Sequence, residues 1–387
     1  MDKFIPLSVP NLKGNEKKYV LQAIDEEWVS TGGKYITKFE EDISNYINVK
    51  GAVACQSGTA GLHLALILSG VSKGDEVIVP TLTFIAAVNP VRYLGADPIF
   101  MDCDEGLTID ARKIEEFCEK RCEYVNNNLI NRETGKNIKA IVVVHVFGNI
   151  AKMDKINEIA RKYNLKVIEG ATEALGSKMV NGRYKNRFAG TMGDFGVFSF
   201  NGNKIITTGG GGMLIAKEDE LLKKAKYLST QAKDDSLYYV HNEIGYNYRM
   251  TNLQAALGIA QLEQLDTFIK IKKSNYEIYK KEIENINGLL LMNFSSEIQS
   301  NYWLYSLLID ERKYLVNRDE LIDIMAKNNI QTRPIWGLIH EQKPYKNCET
   351  YKISKASDYI RKIINIPSSS NLEKSDIERV VKVLQNL

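Results

Sequence analysis

GAVACQSGTAGLHLALILSGVSKGDEVIVP, residues 51–80, decides the fold class of this chain. A short β-branched run comes first, an amphipathic segment follows it, and a second apolar run, DEVIVP, comes next. Further along the chain, TFIAAVNPVRYLG, DPIFMD, AIVVVHVFG and KMDKINEIARKYN continue the alternation. This order is typical of βαβ units, so we predict an α/β fold with a largely parallel sheet covered on both faces.

The rest of the chain predicts the end of this sheet and a second, smaller domain. KVIEGATEALGS, DFGVFSF and GGMLIA are strand candidates that bring the sheet to six or seven strands. A helical segment of about 35 residues then starts at Met250, and strands alternate with helices after it. We place a large domain at residues 1–250 and a small αβ domain at residues 251–387. The polar stretch 123–139 is predicted to be a surface insertion.

Composition narrows the class of protein. Hydrophobic residues make up 44% and charged residues 26% of the chain, which is typical of a soluble globular protein. A formal charge of +3 argues against binding to nucleic acid or to an anionic membrane. No signal peptide or long apolar run is present, so we predict a cytoplasmic protein. Five cysteines without a CxxC pair and four dispersed histidines support neither disulfides nor a metal site.

Polar and aromatic residues follow several of the predicted strands. Ligands bind beyond the carboxyl ends of strands in open parallel sheets, so these positions are candidates for a site. Gly58 and Thr59 open a helix whose free N–H groups could hold a phosphate, although the same turn also fits ordinary helix capping. Phe84 could equally be a core aromatic. Glu169 and Glu173 follow an apolar strand and could simply be solvated acids.

VFSFNGNKIITTGGGG, residues 197–212, places Lys204 between an apolar strand and four glycines. Consecutive glycines indicate close backbone approach or unusual dihedral angles. A lysine in a crowded site loses its proton more easily, and the neutral amine forms a Schiff base with an aldehyde. Alone, Lys204 fits a surface lysine in a turn. Its coincidence with a phosphate-type turn, an aromatic ring and acids at the strand ends matches what pyridoxal phosphate (PLP) requires.

These motifs resemble the DegT/DnrJ/StrS family of PLP-dependent nucleotide-sugar aminotransferases over nearly the whole chain. The resemblance is carried by WVSTGGKYITKFE, SGTAGLHLAL, EVIVPTLTFIAAVNPVRYLGADPIFMD, HVFGN, VIEGATEALGS, GTMGDFGVFSFNGNKIITTGGGGML and YNYRMTNLQAALGIAQLEQL. SFNGNKIITTGGGGM and TQAKDD are most similar to the branch that aminates C4 of UDP-4-keto-6-deoxy-N-acetylhexosamines, in legionaminic acid and bacillosamine pathways. The resemblance implies the fold type I, aspartate aminotransferase-like architecture with a seven-stranded sheet. It also implies a homodimer with shared active sites and glutamate as the amine donor.

The family's pattern, carried over position by position, implies roles for the residues around the strand ends. Lys204 is expected to form the Schiff base with PLP and to move the proton between cofactor and substrate. Gly58 and Thr59 are expected to bind the cofactor phosphate through backbone N–H groups, helped by the hydroxyl of Ser199.

The remaining expected contacts involve the cofactor ring, the second subunit and the substrate. Phe84 is expected to stack on the pyridine ring, and Glu173 to lie near the ring oxygen. Asn247 is expected to reach the phosphate in the neighbouring subunit's site. Arg249 and His340 lie where family members often place substrate-facing groups.

One position departs from the family's pattern. Where the family has Glu-Asp-Ala, this chain has Glu169-Gly170-Ala171. The missing aspartate pairs with the pyridine nitrogen and keeps it protonated, which lets the ring draw electrons. A charge-assisted hydrogen bond of this kind is worth about 1.5–3 kcal/mol. Strand alternation predicts that Glu169 points to the other face of the sheet. We therefore expect a chain that binds PLP but transaminates slowly.

Three other functions remain open at this stage. A sugar dehydratase on the same fold carries histidine in place of the lysine, so Lys204 speaks against it. A decarboxylating enzyme of the wider fold would act on amino acids and needs an arginine for their carboxylate. A non-catalytic, regulatory PLP-binding homologue is the third alternative, and Gly170 favours it.

Overall fold

A computed structural model describes residues 3–235 and 237–387 of the chain. The α-helices are α1 (Glu16–Asp25), α2 (Lys34–Tyr46), α3 (Gly58–Leu68), α4 (Asn89–Tyr93), α5 (Ala111–Arg121), α6 (Met153–Lys162), α7 (Asp219–Ser229), α8 (Asn252–Leu262), α9 (Leu265–Ile283), α10 (Glu311–Tyr314), α11 (Arg318–Lys327), α12 (Lys355–Tyr359) and α13 (Lys374–Gln385). The strands are β1 (Val53–Cys55), β2 (Glu76–Pro80), β3 (Asp97–Met101), β4 (Cys122–Val125), β5 (Asn128–Asn131), β6 (Asn137–Val144), β7 (Lys166–Gly170), β8 (Lys178–Met179), β9 (Phe195–Ser199), β10 (Gly212–Ala216), β11 (Leu289–Leu291), β12 (Ile298–Gln299), β13 (Tyr305–Ile309), β14 (Arg333–Pro334), β15 (Thr350–Tyr351) and β16 (Ile363–Ile366). Single 3₁₀ turns occupy Ile85–Ala87, Val146–Gly148, Ile339–Glu341 and Lys343–Tyr345.

The large sheet confirms the predicted α/β fold and its mostly parallel strands. Within the described residues this sheet has ten strands, more than the six or seven predicted. Eight of them follow the order β1-β10-β9-β7-β6-β2-β3-β15, and the hairpin strands β4 and β5 join the sheet at β6. The pairs from β9 through β7, β6, β2 and β3 to β15 are all parallel. The strands β10 and β5 each run antiparallel to both of their neighbours. The carboxyl ends of β2, β6, β7 and β9 therefore meet at one edge of the sheet. β1 runs in the same direction, so the turn that leads into α3 lies at that edge too.

Alternation along the central strand explains why the sheet is covered on both faces. Successive side chains of a strand point to opposite faces. In β6, Ile141 and Val143 belong to one buried hydrophobic cluster, whereas Val142 and Val144 belong to the other. A strand buried on both sides reads as a continuous apolar run, which is what AIVVV shows in the sequence.

The first βαβ unit is built by a helix that is apolar on nearly every side. In α3, eight of eleven residues are buried, which is typical of a helix enclosed within a protein core. The helix begins after Ser57, whose side-chain oxygen accepts the N–H of Ala60 at 3.0 Å. This cap fixes where the helix starts and leaves the N–H groups of Gly58 and Thr59 directed toward the strand ends.

Two local predictions differ from the structure. The polar stretch 123–139 contains a hairpin, β4 and β5, and β5 pairs with β6 of the large sheet. The single long helix predicted from Met250 is two helices, α8 and α9. At the break, the carboxylate of Glu263 accepts hydrogen bonds from Asn15 and from the phenol of Tyr19. These contacts tie the break to α1.

A second sheet lies in the C-terminal part of the chain. Its order is β11-β13-β16-β14, and all of its pairs are antiparallel. A third hydrophobic cluster fills the space between this sheet and helices α9, α11 and α13, with Tyr279, Tyr305 and Val380 among its buried members. The short strand β15 lies outside this sheet and pairs with β3. The domain boundary between residues 250 and 251 stays a prediction.

Among the helices of residues 3–235 and 237–387, none combines the length and the apolar character that crossing a bilayer requires.

Candidate active site

Lys204 lies in a tight loop directly after β9. Two backbone hydrogen bonds close this loop, from Phe200 N to Gly211 O and from Thr208 N to Phe200 O, both at 2.9 Å. Two of the glycines that follow, Gly211 and Gly212, have no room for a side chain. A Cβ on Gly212 would lie 2.5 Å from the carbonyl carbon of Ser57, so only glycine lets β10 pass this close to the start of α3. The glycine run therefore brings the lysine loop and the helix start together.

The amine of Lys204 sits between an acid and an aromatic ring. Its Nζ lies 3.7 Å from Oε1 of Glu173 and 4.0 Å from the ring centroid of Trp303. Only 13% of the lysine side chain and 2% of the glutamate side chain are exposed. Glu173 is held in place by Phe147, whose N–H donates to Oε2 at 3.0 Å. The site therefore presents one desolvated amine with one fixed carboxylate beside it.

Burial changes the protonation of both groups. Desolvation lowers the pKa of Lys204, and the neighbouring Glu173 carboxylate partly opposes that change. Desolvation likewise raises the pKa of Glu173, against the effect of Lys204. A lysine with a lowered pKa reaches its neutral, nucleophilic form at a lower pH than a lysine in water. The arrangement suits an amine that must attack a carbonyl carbon.

Replacing Glu173 by glutamine is expected to shift the pH dependence of cofactor capture. Because the carboxylate raises the pKa of Lys204 and the amide does not, the neutral amine will be available at lower pH in Glu173→Gln. The rate at which apoenzyme binds PLP, followed by absorbance across a pH series, will therefore rise at lower pH than in the unmodified chain. Glu220→Gln, an exposed change, serves as the control, and an unchanged profile for Glu173→Gln would contradict this account.

Trp303 is a site residue that the sequence did not predict. Its indole N–H donates to Asn203 O at 2.7 Å, next to the lysine, and its backbone N–H donates to Oδ1 of Asn301. The amide of Asn301 donates in turn to the carbonyls of Glu173 and Leu175. Trp303 is almost 100 positions from Lys204 along the chain, and no local pattern joins them. Only the tertiary fold, which places the segment before β13 beside the loop after β9, brings them together.

An aromatic wall extends from this indole. The ring of Phe147 lies 5.9 Å from Trp303 and 4.7 Å from Trp336. Phe147 has φ of 55°, an uncommon left-handed conformation for a residue other than glycine. Its place directly after β6 puts this strained backbone at the strand-end edge of the sheet. HVFG in the sequence marks the position, although nothing local indicates the conformation.

The phosphate-type turn lies beside the lysine loop, as predicted. Gly58 begins α3, and a Cβ there would lie 3.0 Å from Cβ of Ser199. The hydroxyl of Ser199 and the first-turn N–H groups of Gly58 and Thr59 are therefore close together. Anions bind at helix N-termini because these N–H groups lack partners within the helix. This arrangement fits the phosphate of PLP, and Lys204 fits its aldehyde.

Two of the predicted cofactor contacts lie on the surface of the single chain. Phe84 follows β2 at the same edge of the sheet, and 54% of it is exposed. Asn247 is exposed too, in a segment that bridges to Thr230. Their predicted roles, stacking on the pyridine ring and reaching the neighbouring subunit's phosphate, stay predictions.

The two predicted substrate-facing residues have partners within the chain. Arg249 is buried, and its Nη1 pairs with Oε1 of Glu40, which also accepts the N–H of Ala54. This geometry favours a structural role for Arg249, and its role in substrate binding stays a prediction that no contact supports. His340 lies next to β2, where its Nδ1 is 2.6 Å from Oγ1 of Thr81. Burial lowers the pKa of His340, so the ring favours its neutral form.

Gly170 leaves the site without a carboxylate at the end of β7. It pairs with Val144 and Val197 of the neighbouring strands. A Cβ at this position would lie 3.1 Å from Val143 O and 3.3 Å from Cγ2 of Val144, a tight but accommodating space. Lys204 and the turn at Gly58 therefore fit the aldehyde and the phosphate of PLP, whereas Gly170 offers no carboxylate for its ring nitrogen.

Glu169 points away from the lysine, as strand alternation predicts. Its carboxylate is fully buried and accepts hydrogen bonds from His145 Nε2 at 2.7 Å and from the N–H groups of Gly190, Met192 and Gly193. The other ring nitrogen of His145 accepts the N–H of Ala151 at 3.2 Å, which assigns the ring proton to Nε2. Both oxygens of the Glu169 carboxylate are therefore occupied by hydrogen bonds within this network.

Replacing Glu169 by alanine is expected to destabilise the large domain strongly. Four buried donors would lose their acceptor, and a loss of about 3–5 kcal/mol in the free energy of unfolding follows. Thermal and urea unfolding would measure this change. Glu220→Ala, which removes an exposed acid paired with Lys223, is the matched control and is expected to stay within about 0.5 kcal/mol. Equal stability of the two variants would contradict the assignment.

Comparison with known proteins supplies the context for this geometry. A sequence profile of the DegT/DnrJ/EryC1/StrS aminotransferase family matches residues 10–385. A GDP-perosamine synthase of Escherichia coli O157:H7 is 40% identical over 387 residues, which cover 100% of this chain and 98% of that protein. The UDP-4-amino-4,6-dideoxy-N-acetyl-beta-L-altrosamine transaminase of Campylobacter jejuni is 30% identical over 383 residues, covering 98% and 96% of the two chains. The crystal structure of the aminotransferase TlmJ from Streptoalloteichus hindustanus superposes with a TM-score of 0.88, at 25% identity and over 99% and 98% of the two chains.

Proposed function

Because the chain belongs to the DegT/DnrJ/EryC1/StrS aminotransferase family, we propose that it aminates C4 of a nucleotide-linked 4-keto-6-deoxy sugar, with glutamate as the amine donor. That it is a PLP-dependent sugar aminotransferase follows from the family and its relatives. The position on the sugar, the nucleotide and the donor are the finer parts of the proposal. The observation that supports it best is the desolvated amine of Lys204, 3.7 Å from Glu173 and next to the start of α3.

When bound, PLP supplies an aldehyde that combines with amino groups and a ring that draws electrons from the adjacent carbon. Lys204 would hold the aldehyde carbon and, when released from it, carry a proton to or from the reacting carbon. The first-turn N–H groups of Gly58 and Thr59 and the hydroxyl of Ser199 would hold the phosphate. Glu173 lies near enough to orient the lysine, and Trp303 keeps water from it.

A 4-keto-6-deoxy sugar linked to GDP is the first candidate for the substrate. The resemblance of the sequence to one branch of the family favours UDP. The relative at 40% identity is a GDP-perosamine synthase, whereas the relative that acts in UDP-sugar chemistry is 30% identical. The higher identity supports GDP, and the lower one keeps UDP as the alternative.

A shared site in a homodimer is also part of the proposal. Several large apolar side chains are exposed in the segment after α7. Leu237, Tyr238, Tyr239 and Ile244 are each more than 70% exposed. Exposed apolar side chains gathered in one segment favour association with another protein surface. Asn247 lies at the end of the same segment, so a partner seated there would receive its exposed amide.

A panel of sugars tests the substrate. Purified holoenzyme is incubated with glutamate and with GDP- and UDP-linked 4-keto-6-deoxy sugars, and the products are weighed by mass spectrometry. We expect an aminated product from the GDP-linked sugar. Amination of the UDP-linked sugar alone would overturn the choice of nucleotide. Absence of any aminated product over long incubation would overturn the proposed reaction and favour a non-catalytic PLP-binding protein.

Absorbance of the holoenzyme separates the donor half of the reaction from the acceptor half. A yellow protein that bleaches when glutamate is added has passed its cofactor through the first half-reaction. A protein that stays yellow with glutamate and bleaches with another amino acid would overturn glutamate as the donor. Lys204 already argues against the dehydratase, in which the amine is replaced by histidine.

A further inference from the structure

A large cleft opens at the edge of the main sheet opposite to Lys204. It has a volume of about 1030 Å³ and includes the first residues of β7 and β9, Lys166 and Phe195. Each of these strands has five residues, so the cleft lies about 16 Å from the strand ends that carry the active site. The lining comes from four separate parts of the chain: the segment after α2, the stretch from α6 to the start of β7, the stretch from the loop after β8 to the start of β9, and the end of β10 with the residue after it.

The lining is strongly basic. Seven cationic side chains contribute to it, namely Lys50, Arg161, Lys166, Arg183, Lys185, Arg187 and Lys217, and Asp194 is the one acid among the lining residues. The whole chain carries a formal charge of only +3. Positive charge is therefore concentrated in this cleft beyond what the composition predicts, and a concave surface focuses the resulting potential.

Asp194 does not neutralise the positive charge of the cleft. Oδ2 of Asp194 accepts the N–H of Val167 at 2.8 Å, and Oδ1 lies 3.7 Å from Lys166. Lys50 pairs with Asp219 at 3.3 Å. The other five cations, Arg161, Arg183, Lys185, Arg187 and Lys217, form no ion pair with any residue that the structure describes. Most of the positive charge in the cleft is thus available to a ligand.

Two of the guanidinium groups are held in position by the loop between β8 and β9. The guanidinium of Arg183 lies 5.8 Å from the ring centroid of Tyr184, and the phenol of that tyrosine accepts a hydrogen bond from Asn157 at 3.0 Å. Arg187 donates to the carbonyl of Thr191. Fixed guanidinium groups lose less side-chain entropy when they bind, and their geometry matches phosphate oxygens.

We propose that this cleft binds a small polyphosphate anion, at a site separate from the active site. Several convergent cations suit a ligand with several adjacent negative charges better than a single phosphate. The volume lies at the upper end of ordinary small-molecule sites. Basic residues confined to one cleft do not form the extended track that a nucleic acid strand needs. The phosphates provide the recognition, so a nucleoside attached to them is not required.

Calorimetric titration of the PLP-loaded enzyme with inorganic triphosphate tests this site. The cleft variant is Arg183→Glu/Lys185→Glu, and the control is Lys280→Glu/Lys281→Glu, which makes the same charge change on exposed residues at the end of α9. At low ionic strength we expect the cleft variant to bind triphosphate at least about tenfold more weakly than the unmodified enzyme, and the control to bind within about twofold of it. Raising the salt concentration is expected to weaken the binding.

Two results would overturn the proposal. One is the absence of triphosphate binding at low salt. The other is equal binding by the cleft variant and the control, which would place the anion elsewhere, for example in the active site. Turnover of the cleft variant on the keto sugar is expected to match that of the unmodified enzyme. Far-ultraviolet circular dichroism of both variants confirms that they fold, and the proposed reaction at Lys204 is tested independently of this site.

Discussion

Lys204→Ala will lose at least about a thousandfold in turnover, since a positioned group that transfers protons is alone worth roughly 10²- to 10⁴-fold. The lysine has two tasks in the proposed reaction, holding the cofactor aldehyde and moving the proton. No other amine in the described part of the chain forms an ion pair with Glu173. Steady-state rates with glutamate and the keto sugar measure the loss.

Arginine at the same position separates nucleophilicity from charge. Lys204→Arg keeps the cation next to Glu173 and Trp303, but a guanidinium stays protonated at any working pH and cannot attack an aldehyde. It is expected to be as inactive as the alanine variant. Lys223→Arg, on the exposed face of α7, is the matched control and should keep full activity. Appreciable turnover by Lys204→Arg would show that the amine is not the nucleophile.

Gly170→Asp is expected to raise turnover by about 10- to 150-fold, since a charge-assisted hydrogen bond to the ring nitrogen contributes about 1.5–3 kcal/mol. The aspartate would restore the carboxylate that the family's pattern has at this position. Its Cβ would approach Val143 O at 3.1 Å, so the adjacent strand must shift by a few tenths of an ångström. A slightly lowered melting temperature should accompany the gain in rate.

Gly170→Ala is the control for this change, because it adds the same Cβ without a carboxylate. We expect no gain from alanine. Gly170→Asn adds a side chain of the same shape that carries no charge, and it should recover little of the rate. Equal turnover of the aspartate and alanine variants would contradict the proposed role of the missing carboxylate. An unmodified enzyme that already turns over at about 10 s⁻¹, an ordinary enzymatic rate, would contradict it too.

The parts of the site that are close in sequence to a strand end could be predicted from the sequence. Lys204 and Gly58 lie within a few residues of β9 and β1, and the parallel sheet places these ends at one edge. The direction of Glu169 follows from alternation along β7. In each case a local pattern and one topological rule suffice.

Other features depend on contacts between distant segments, so no local pattern in the sequence indicates them. Trp303 reaches Lys204 only because the fold places the segment before β13 beside the loop after β9. The ion pair of Arg249 with Glu40, more than 200 positions earlier, has no counterpart in any local pattern of the sequence. The break between α8 and α9 coincides with contacts of Glu263 to α1, and the cationic cleft gathers side chains from four parts of the chain. Tertiary packing decides each of these features.

Borohydride reduction shows whether Lys204 captures PLP covalently, because it converts the Schiff base into a stable amine. The holoenzyme is reduced, digested with a protease and analysed by mass spectrometry, with the Lys204→Ala protein treated in parallel. We predict a phosphopyridoxyl group on the peptide that contains Lys204, and none on any peptide of the variant. A reduced protein whose Lys204 peptide is unmodified, or a phosphopyridoxyl group on another lysine, would contradict it.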